Sequence, residues 1–269
     1  MYSATQLAKK YIGYWFKSSN GKGHGVHSPF VFDFIKNVLN RKVKKEEYML
    51  IEQQRNALKQ NQRTLTLQDF GAGSVIENTK QRTVSSIAKN SLKSKKYAQL
   101  LYKIARYYQP AHILELGTCL GITTAYLSKT NDHAVITTME GAAEVASVAQ
   151  TVFDNLRLNN IEIVRGNFDD TLPGFISSYR QNDKKLDFIF IDGNHREEAT
   201  INYFKQLLPL IHNDSLMVFD DVHWSKGMEN AWHTIIQHPS VFLSIDLFFV
   251  GIVFFKKEFK QKQHFTIRY

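Results

Sequence analysis

Between residues 97 and 256, short apolar runs alternate with longer segments whose apolar residues recur every three or four positions. The runs His112–Leu116, Ala134–Met139, Ile161–Arg165, Leu186–Ile191 and Ser215–Phe219 read as strands, and Ala142–Leu158 and Glu197–Ile211 are the clearest helices between them. Strands separated by helices pair in parallel through right-handed crossovers, which confines the region to an α/β, doubly wound sheet. Its end breaks the pattern. Val241–Leu247 and Val250–Phe255 are two apolar runs with almost nothing between them, and Gly251 lies near the break. So short a connection cannot join parallel neighbours, so one of the two strands runs antiparallel. The expectation is a mostly parallel, seven-stranded sheet ending in an antiparallel β-hairpin.

The first 96 residues carry a different signal. Thr5–Lys17, Ser28–Leu39 and Lys45–Gln62 show helical spacing, with the glycine-rich stretch 20–25 as a break between the first two. This predicts an N-terminal helical extension over 1–96 that packs on, or covers the cleft of, a ligand-binding domain over 97–269. With 43% apolar and 13% aromatic residues, the chain has material for a core. No apolar run reaches the roughly 18–20 residues that span a bilayer, and the start of the chain has no apolar signal segment. The single cysteine, Cys119, excludes an internal disulfide and a multi-cysteine zinc site. These features point to the cytoplasm. Charge is unevenly spread: residues 1–96 hold 18 basic and 6 acidic side chains, net +12, and residues 97–269 are net −3. The basic third is either a solvated lysine-rich surface or a face for RNA, an anionic membrane or an acidic substrate.

The stretch Ile113-Leu114-Glu115-Leu116-Gly117-Thr118-Cys119-Leu120-Gly121 places an acid at a strand end, a glycine turn, and a second glycine where a helix begins. Glycine there lets backbone approach a ligand, at the sheet edge where open α/β folds bind ligands. Dinucleotide binders use G-x-G-x-x-G to present amides to a pyrophosphate. Here the spacing is G-x-x-x-G, and Glu115 would repel a pyrophosphate while suiting a ligand with sulfonium and ammonium groups. The next strand ends in Met139-Glu140-Gly141, an acid placed to accept from both ribose hydroxyls. The sum favours S-adenosylmethionine (SAM) over NAD.

Taken in order, Glu115–Gly121, Met139–Gly141, Gly166-Asn167-Phe168 and Phe190-Ile-Asp-Gly-Asn-His195 resemble the motifs of class I SAM-dependent methyltransferases. The last of these, with Phe219-Asp-Asp-Val-His223, is most similar to the catechol and macrolide O-methyltransferase branch. The resemblance covers roughly residues 97–256. It implies a Rossmann-like sheet, with Glu115, Gly117, Thr118 and Gly121 at the methionine end of SAM. It also implies Glu140 and Gly141 at the ribose, Asn167 and Phe168 near the adenine, and Asp192 among the cofactor contacts. Gly166-Asn167-Phe168 also reads as an ordinary turn. The phrase His24-Gly-Val-His-Ser-Pro-Phe30 resembles a bacterial subgroup of the same enzymes, together with Asp69-Phe-Gly-Ala-Gly-Ser74. The latter mimics the glycine loop, yet the polar stretch after it reads as a turn or a loop bordering the cleft.

Asp192 follows the fourth strand and Asp220 and Asp221 follow the fifth. Neighbouring strands lie about 4.8 Å apart, so these carboxylates can converge on one hard cation such as Mg²⁺, or else cap the helix that begins near Ser225. His195 and His223 are the candidate general bases. The functional expectation is O-methylation of a small hydroxylated acceptor, with or without a divalent metal. The alternatives are an RNA methyltransferase using the basic N-terminal region and a non-catalytic SAM-binding protein.

Overall fold

The structure, a computed structural model, describes residues 1–67 and 81–269. The Asp69–Ser74 loop therefore lies outside the described residues. Helix α1, Ala4–Lys17, opens with a capping box: Ser3 Oγ accepts from the Gln6 amide while Gln6 Oε1 accepts from the Ser3 amide. Helix α2, Pro29–Phe34, starts at a proline and continues as a π-turn, Ile35–Leu39, so the helix expected over 28–39 changes winding midway. A 3-10 turn, Lys45–Glu47, leads into α3, Met49–Gln60. Strands β1, Thr64–Thr66, and β2, Gln81–Thr83, precede helices α4, Val84–Asn90, and α5, Lys95–Tyr108.

The alternation then runs as expected: β3 His112–Leu116, α6 Ile122–Ser128, β4 Val135–Glu140, α7 Ala143–Asn155, β5 Ile161–Arg165 and α8 Phe168–Gln181. It continues through β6 Phe188–Ile191, α9 Glu197–Leu207, β7 Leu216–Asp220 and α10 Lys226–Gln237. The chain closes with β8 Leu243–Asp246, β9 Val250–Phe254 and β10 Gln263–Thr266. Among the described residues no helix is long and apolar enough to cross a membrane.

Two compact units divide the chain, residues 42–177 and residues 1–41 with 178–269. In the first, β3, β4 and β5 pair in parallel with β4 central, in registers such as Leu116↔Met139 and Glu140↔Arg165. β1 and β2 form a separate antiparallel hairpin. Tyr126 of α6 and Val152 and Phe153 of α7 share one apolar cluster with Ile51 of α3, Ile87 of α4 and Tyr102 of α5. Burying a side chain of the size of Phe153 contributes about 1.5–3 kcal/mol, so α3, α4 and α5 are bound to this unit by its core.

In the second unit β6 and β7 are parallel, β9 is antiparallel to both β7 and β8, and β8 is parallel to β10. The predicted terminal hairpin is β8–β9. The expected strand count falls short by β10, which lies on the outer side of β8. Gln263–Thr266 is polar, four residues long and follows a lysine-rich turn, so it carries no apolar alternation to reveal it. Helix α1 belongs to this unit. The Tyr14 hydroxyl donates to the Ile267 carbonyl, Arg268 Nε donates to the Trp15 carbonyl at 2.7 Å, and the Tyr2 amide donates to the Trp224 carbonyl at 3.1 Å.

Candidate active site

In the unit 42–177 the loop after β3 is tied to the end of β4. The Gly117 and Thr118 amides both donate to the Met139 carbonyl, at 3.0 and 3.1 Å. Gly117 takes φ +108° and Cys119 φ +49°, reversing the chain before α6. Gly121 begins that helix at φ +80°, and a Cβ there would lie 2.7 Å from Phe153 Cε1. Its glycine is thus required by the packing of α6 on α7 as well as by its backbone angle.

Glu140 closes the loop. Its Oε2 accepts from the Cys119 amide and its Oε1 from the Ala142 amide, both at 2.9 Å. Two backbone bonds of this kind fix the orientation of the carboxylate. Gly141 lies in the turn that follows. Glu115, by contrast, is fully buried, and its Oε2 accepts from Thr138 Oγ1 at 2.6 Å and from Thr124 Oγ1. The Thr118 hydroxyl shares a 2.6 Å bond with Thr138. A buried carboxylate needs such donors to offset lost hydration. The Glu115 and Thr118 side chains therefore brace the glycine loop from inside, in a network whose other members, Thr124 and Thr138, were not among the expected residues.

After β5, Gly166 takes φ +134° and donates its amide to the Glu140 carbonyl at 2.9 Å. Asn167 Oδ1 accepts from the Asp169 amide at 3.2 Å, and Phe168 begins α8. The polar atom of Asn167 is a helix-entry acceptor, and Phe168 is half-buried beside it.

The second unit holds the acids. Asp192, His195 and Asp220 each present a ligand atom within 4.8 Å of the others. His195 Nε2 stands 3.5 Å from Asp192 Oδ1, and Asp220 is 1% exposed. Asp221 is not in this group; it takes φ +52° and donates its amide to the Phe249 carbonyl at 2.7 Å. Neither acid caps α10, because Ser225 Oγ accepts from the Met228 amide at 3.1 Å and fills that position. Asn194 and His195 take φ +66° and +36°. Left-handed backbone at non-glycine residues costs on the order of 1 kcal/mol each and collects at functional sites.

His223 lies elsewhere in this unit. Its Nε2 is 2.7 Å from Asp246 Oδ2, its Nδ1 is 3.2 Å from Glu229 Oε1, and its ring stacks on Phe248 with centroids 5.1 Å apart. Burial alone would lower its pKa, but the Asp246 and Glu229 carboxylates outweigh it and raise the value above that of an ordinary histidine. Both ring nitrogens are engaged, so of the two histidines it is His195 that offers a nitrogen to the acid cluster. Trp232 is core, packed against Gly251, where an added Cβ would lie 2.7 Å from its Cη2.

A family model described as a methyltransferase domain matches residues 114–222, the stretch from the Glu115 loop through the Asp220 strand end. Over that stretch the chain is similar to a methyltransferase domain. No curated protein matches the sequence. Similar solved structures include several methyltransferases. The SAH-bound methyltransferase PaMTH1 of Podospora anserina aligns over 95% of this chain and 97% of its own at 13% identity, TM-score 0.57. The O-methyltransferase of Bacillus cereus, with SAH, aligns over 84% and 97% at 18% identity, TM-score 0.52. TomG of Streptomyces achromogenes, an O-methyltransferase of tomaymycin synthesis solved with SAM, aligns over 62% and 82% at 20% identity, TM-score 0.53. At these identities the likeness establishes the fold, a mostly parallel Rossmann-like sheet.

Proposed function

We propose that the protein transfers the methyl group of SAM to an oxygen of a small hydroxylated acceptor. The observation that carries this reading is the Asp192–His195–Asp220 cluster at the ends of β6 and β7. The O-methyltransferases among the similar structures support the choice of oxygen. Glu140, pinned by two amides, accepts from the ribose hydroxyls. The loop of Gly117, Thr118 and Gly121, braced by Glu115, receives the methionine end, while Gly141, Asn167 and Phe168 border the nucleoside. In the reaction the acceptor oxygen attacks the methyl carbon as the carbon–sulfur bond breaks, and SAH leaves. The acceptor proton passes to His195, oriented by Asp192 in the way a carboxylate orients a catalytic imidazole. Alignment of the reacting atoms supplies about 7–11 kcal/mol in favourable cases.

The two aspartates fit a divalent cation. Asp192 and Asp220 are hard oxygen donors of the kind Mg²⁺ or Mn²⁺ takes, and Asp220 is buried beside Asp192 and His195. A cation held there would lower the pKa of an acceptor hydroxyl. His195 then retains its lone pair for the proton.

The test is calorimetric titration with SAH, with and without Mg²⁺, followed by turnover on a library of phenols and hydroxylated metabolites. SAH binding with methylation of a hydroxylated acceptor is the expected result. SAH binding without turnover across the library would identify a non-catalytic binder, and equal turnover in chelator and in Mg²⁺ would remove the cation.

A further inference from the structure

We propose that the outward face of α1 docks the protein on an anionic lipid surface. The helix has two faces of different origin. Tyr14 is buried, and Leu7, Lys10 and Tyr11 are half-buried on the same side. Tyr11 packs edge-on to Phe248 with centroids 5.1 Å apart, and Lys10 Nζ is committed to Glu229 at 2.8 Å. Core packing accounts for that side. It does not account for the opposite side, where Ile12 is 55% exposed, Trp15 43% and Phe16 78%. These three occupy positions i, i+3 and i+4 and form one ridge with the exposed Ala8. Phe16 is the most exposed large apolar side chain among the described residues.

Charge identifies the occupant. Residues 1–32 contain no carboxylate, and Lys9 and Lys17 of the same helix are exposed. A second copy of the same face would bring lysines against lysines, which opposes self-association. Stacked nucleic-acid bases need an open aromatic face, but the Arg268 guanidinium already lies 5.2 Å over the Trp15 ring, and Ile12 offers a base nothing polar. A lipid interface suits all these features. Aliphatic and aromatic side chains enter the headgroup boundary while lysine stems extend their charges to anionic headgroups. One short helix of this kind gives weak, reversible attachment.

The test is co-sedimentation of the full chain with vesicles of phosphatidylcholine alone and with vesicles that also contain phosphatidylglycerol. Retention on the phosphatidylglycerol vesicles only, declining with added salt, is expected. Phe16→Ser and Ile12→Ser should each reduce partitioning about tenfold, and Lys9→Gln or Lys17→Gln about fivefold each. Unchanged melting and SAH affinity in the Phe16→Ser protein will show that its fold is intact. Equal retention on both vesicle types would overturn the proposal, as would indifference to both apolar substitutions. Concentration-dependent dimers, or RNA binding, that Phe16→Ser abolishes in a protein without vesicle affinity would reassign the face to those partners.

Discussion

His223 Nε2 lies 2.7 Å from Asp246 Oδ2, and the opposite ring nitrogen lies 3.2 Å from Glu229 Oε1. Glu229 also accepts from Lys10 at 2.8 Å and from the Tyr2 hydroxyl at 2.7 Å. The imidazole therefore sits between two acids, one of which holds the start of α1. Because the carboxylates raise its folded-state pKa above the ordinary value of 6.5, its contribution to stability has a definite sign. Below that value the ring is charged in both folded and unfolded chains and the contribution is complete. As pH rises past it and through the raised value, the unfolded chain loses its proton first and the contribution fades. The melting temperature should fall across this window more steeply in the wild type than in His223→Gln. Below the window His223→Gln should cost on the order of 2 kcal/mol. Parallel melting curves against pH for the two proteins would show that the ring is not held as an imidazolium.

Glu140 should dominate cofactor affinity. Glu140→Ala removes the acceptor for the Cys119 and Ala142 amides together with the ribose acceptor, and a loss of about 100-fold in SAH affinity is expected. Glu140→Gln keeps one oxygen and should lose about tenfold. Calorimetry with SAH reads both changes. An affinity unchanged in Glu140→Ala would place the nucleoside elsewhere.

What could be read in advance followed the reach of local pattern. β3 and β5 match their expected bounds residue for residue, because an apolar run between turns is a local signal. The strand expected to end at Met139 runs one residue further, so that Glu140 is the last residue of β4. The Glu115 network was not legible: its hydroxyl partners Thr124 and Thr138 stand 9 and 23 positions away, and threonines in a helix and a strand announce nothing by themselves. The partners of His223 lie 6 and 23 residues on, and the Tyr14–Ile267 bond spans 253. Such contacts are products of topology and have no periodicity to betray them. Asp192, Asp220 and Asp221 were singled out together as possible ligands and His195 as a base; the structure groups His195 with Asp192 and Asp220 and leaves Asp221, at φ +52°, out of that group, and local sequence carries no signal for such a backbone angle.

Gly121→Ala tests whether the second glycine of the loop serves packing. The new methyl would meet the Phe153 ring at 2.7 Å and sit on a backbone at φ +80°. Overpacking costs about 1–3 kcal/mol and the left-handed backbone adds about 1–2, so a drop of several degrees in melting temperature is expected. Phe153→Leu in the same protein should restore part of the loss, because it clears the ring but leaves the backbone strain. A Gly121→Ala protein as stable as the wild type would mean that α6 and α7 approach less closely.

His195 and Asp192 should behave as one catalytic unit. His195→Gln removes the proton acceptor and should lower kcat about 10²–10⁴-fold. SAH affinity should stay within about twofold, since the ribose acceptor Glu140 is untouched. Asp192→Asn should produce a loss of similar size through misorientation of the ring. Residues that act together are non-additive, so the double variant should be little slower than His195→Gln alone. Multiplication of the two single losses would instead mean that Asp192 works independently, through a cation shared with Asp220, and that its 3.5 Å approach to His195 is incidental to proton transfer.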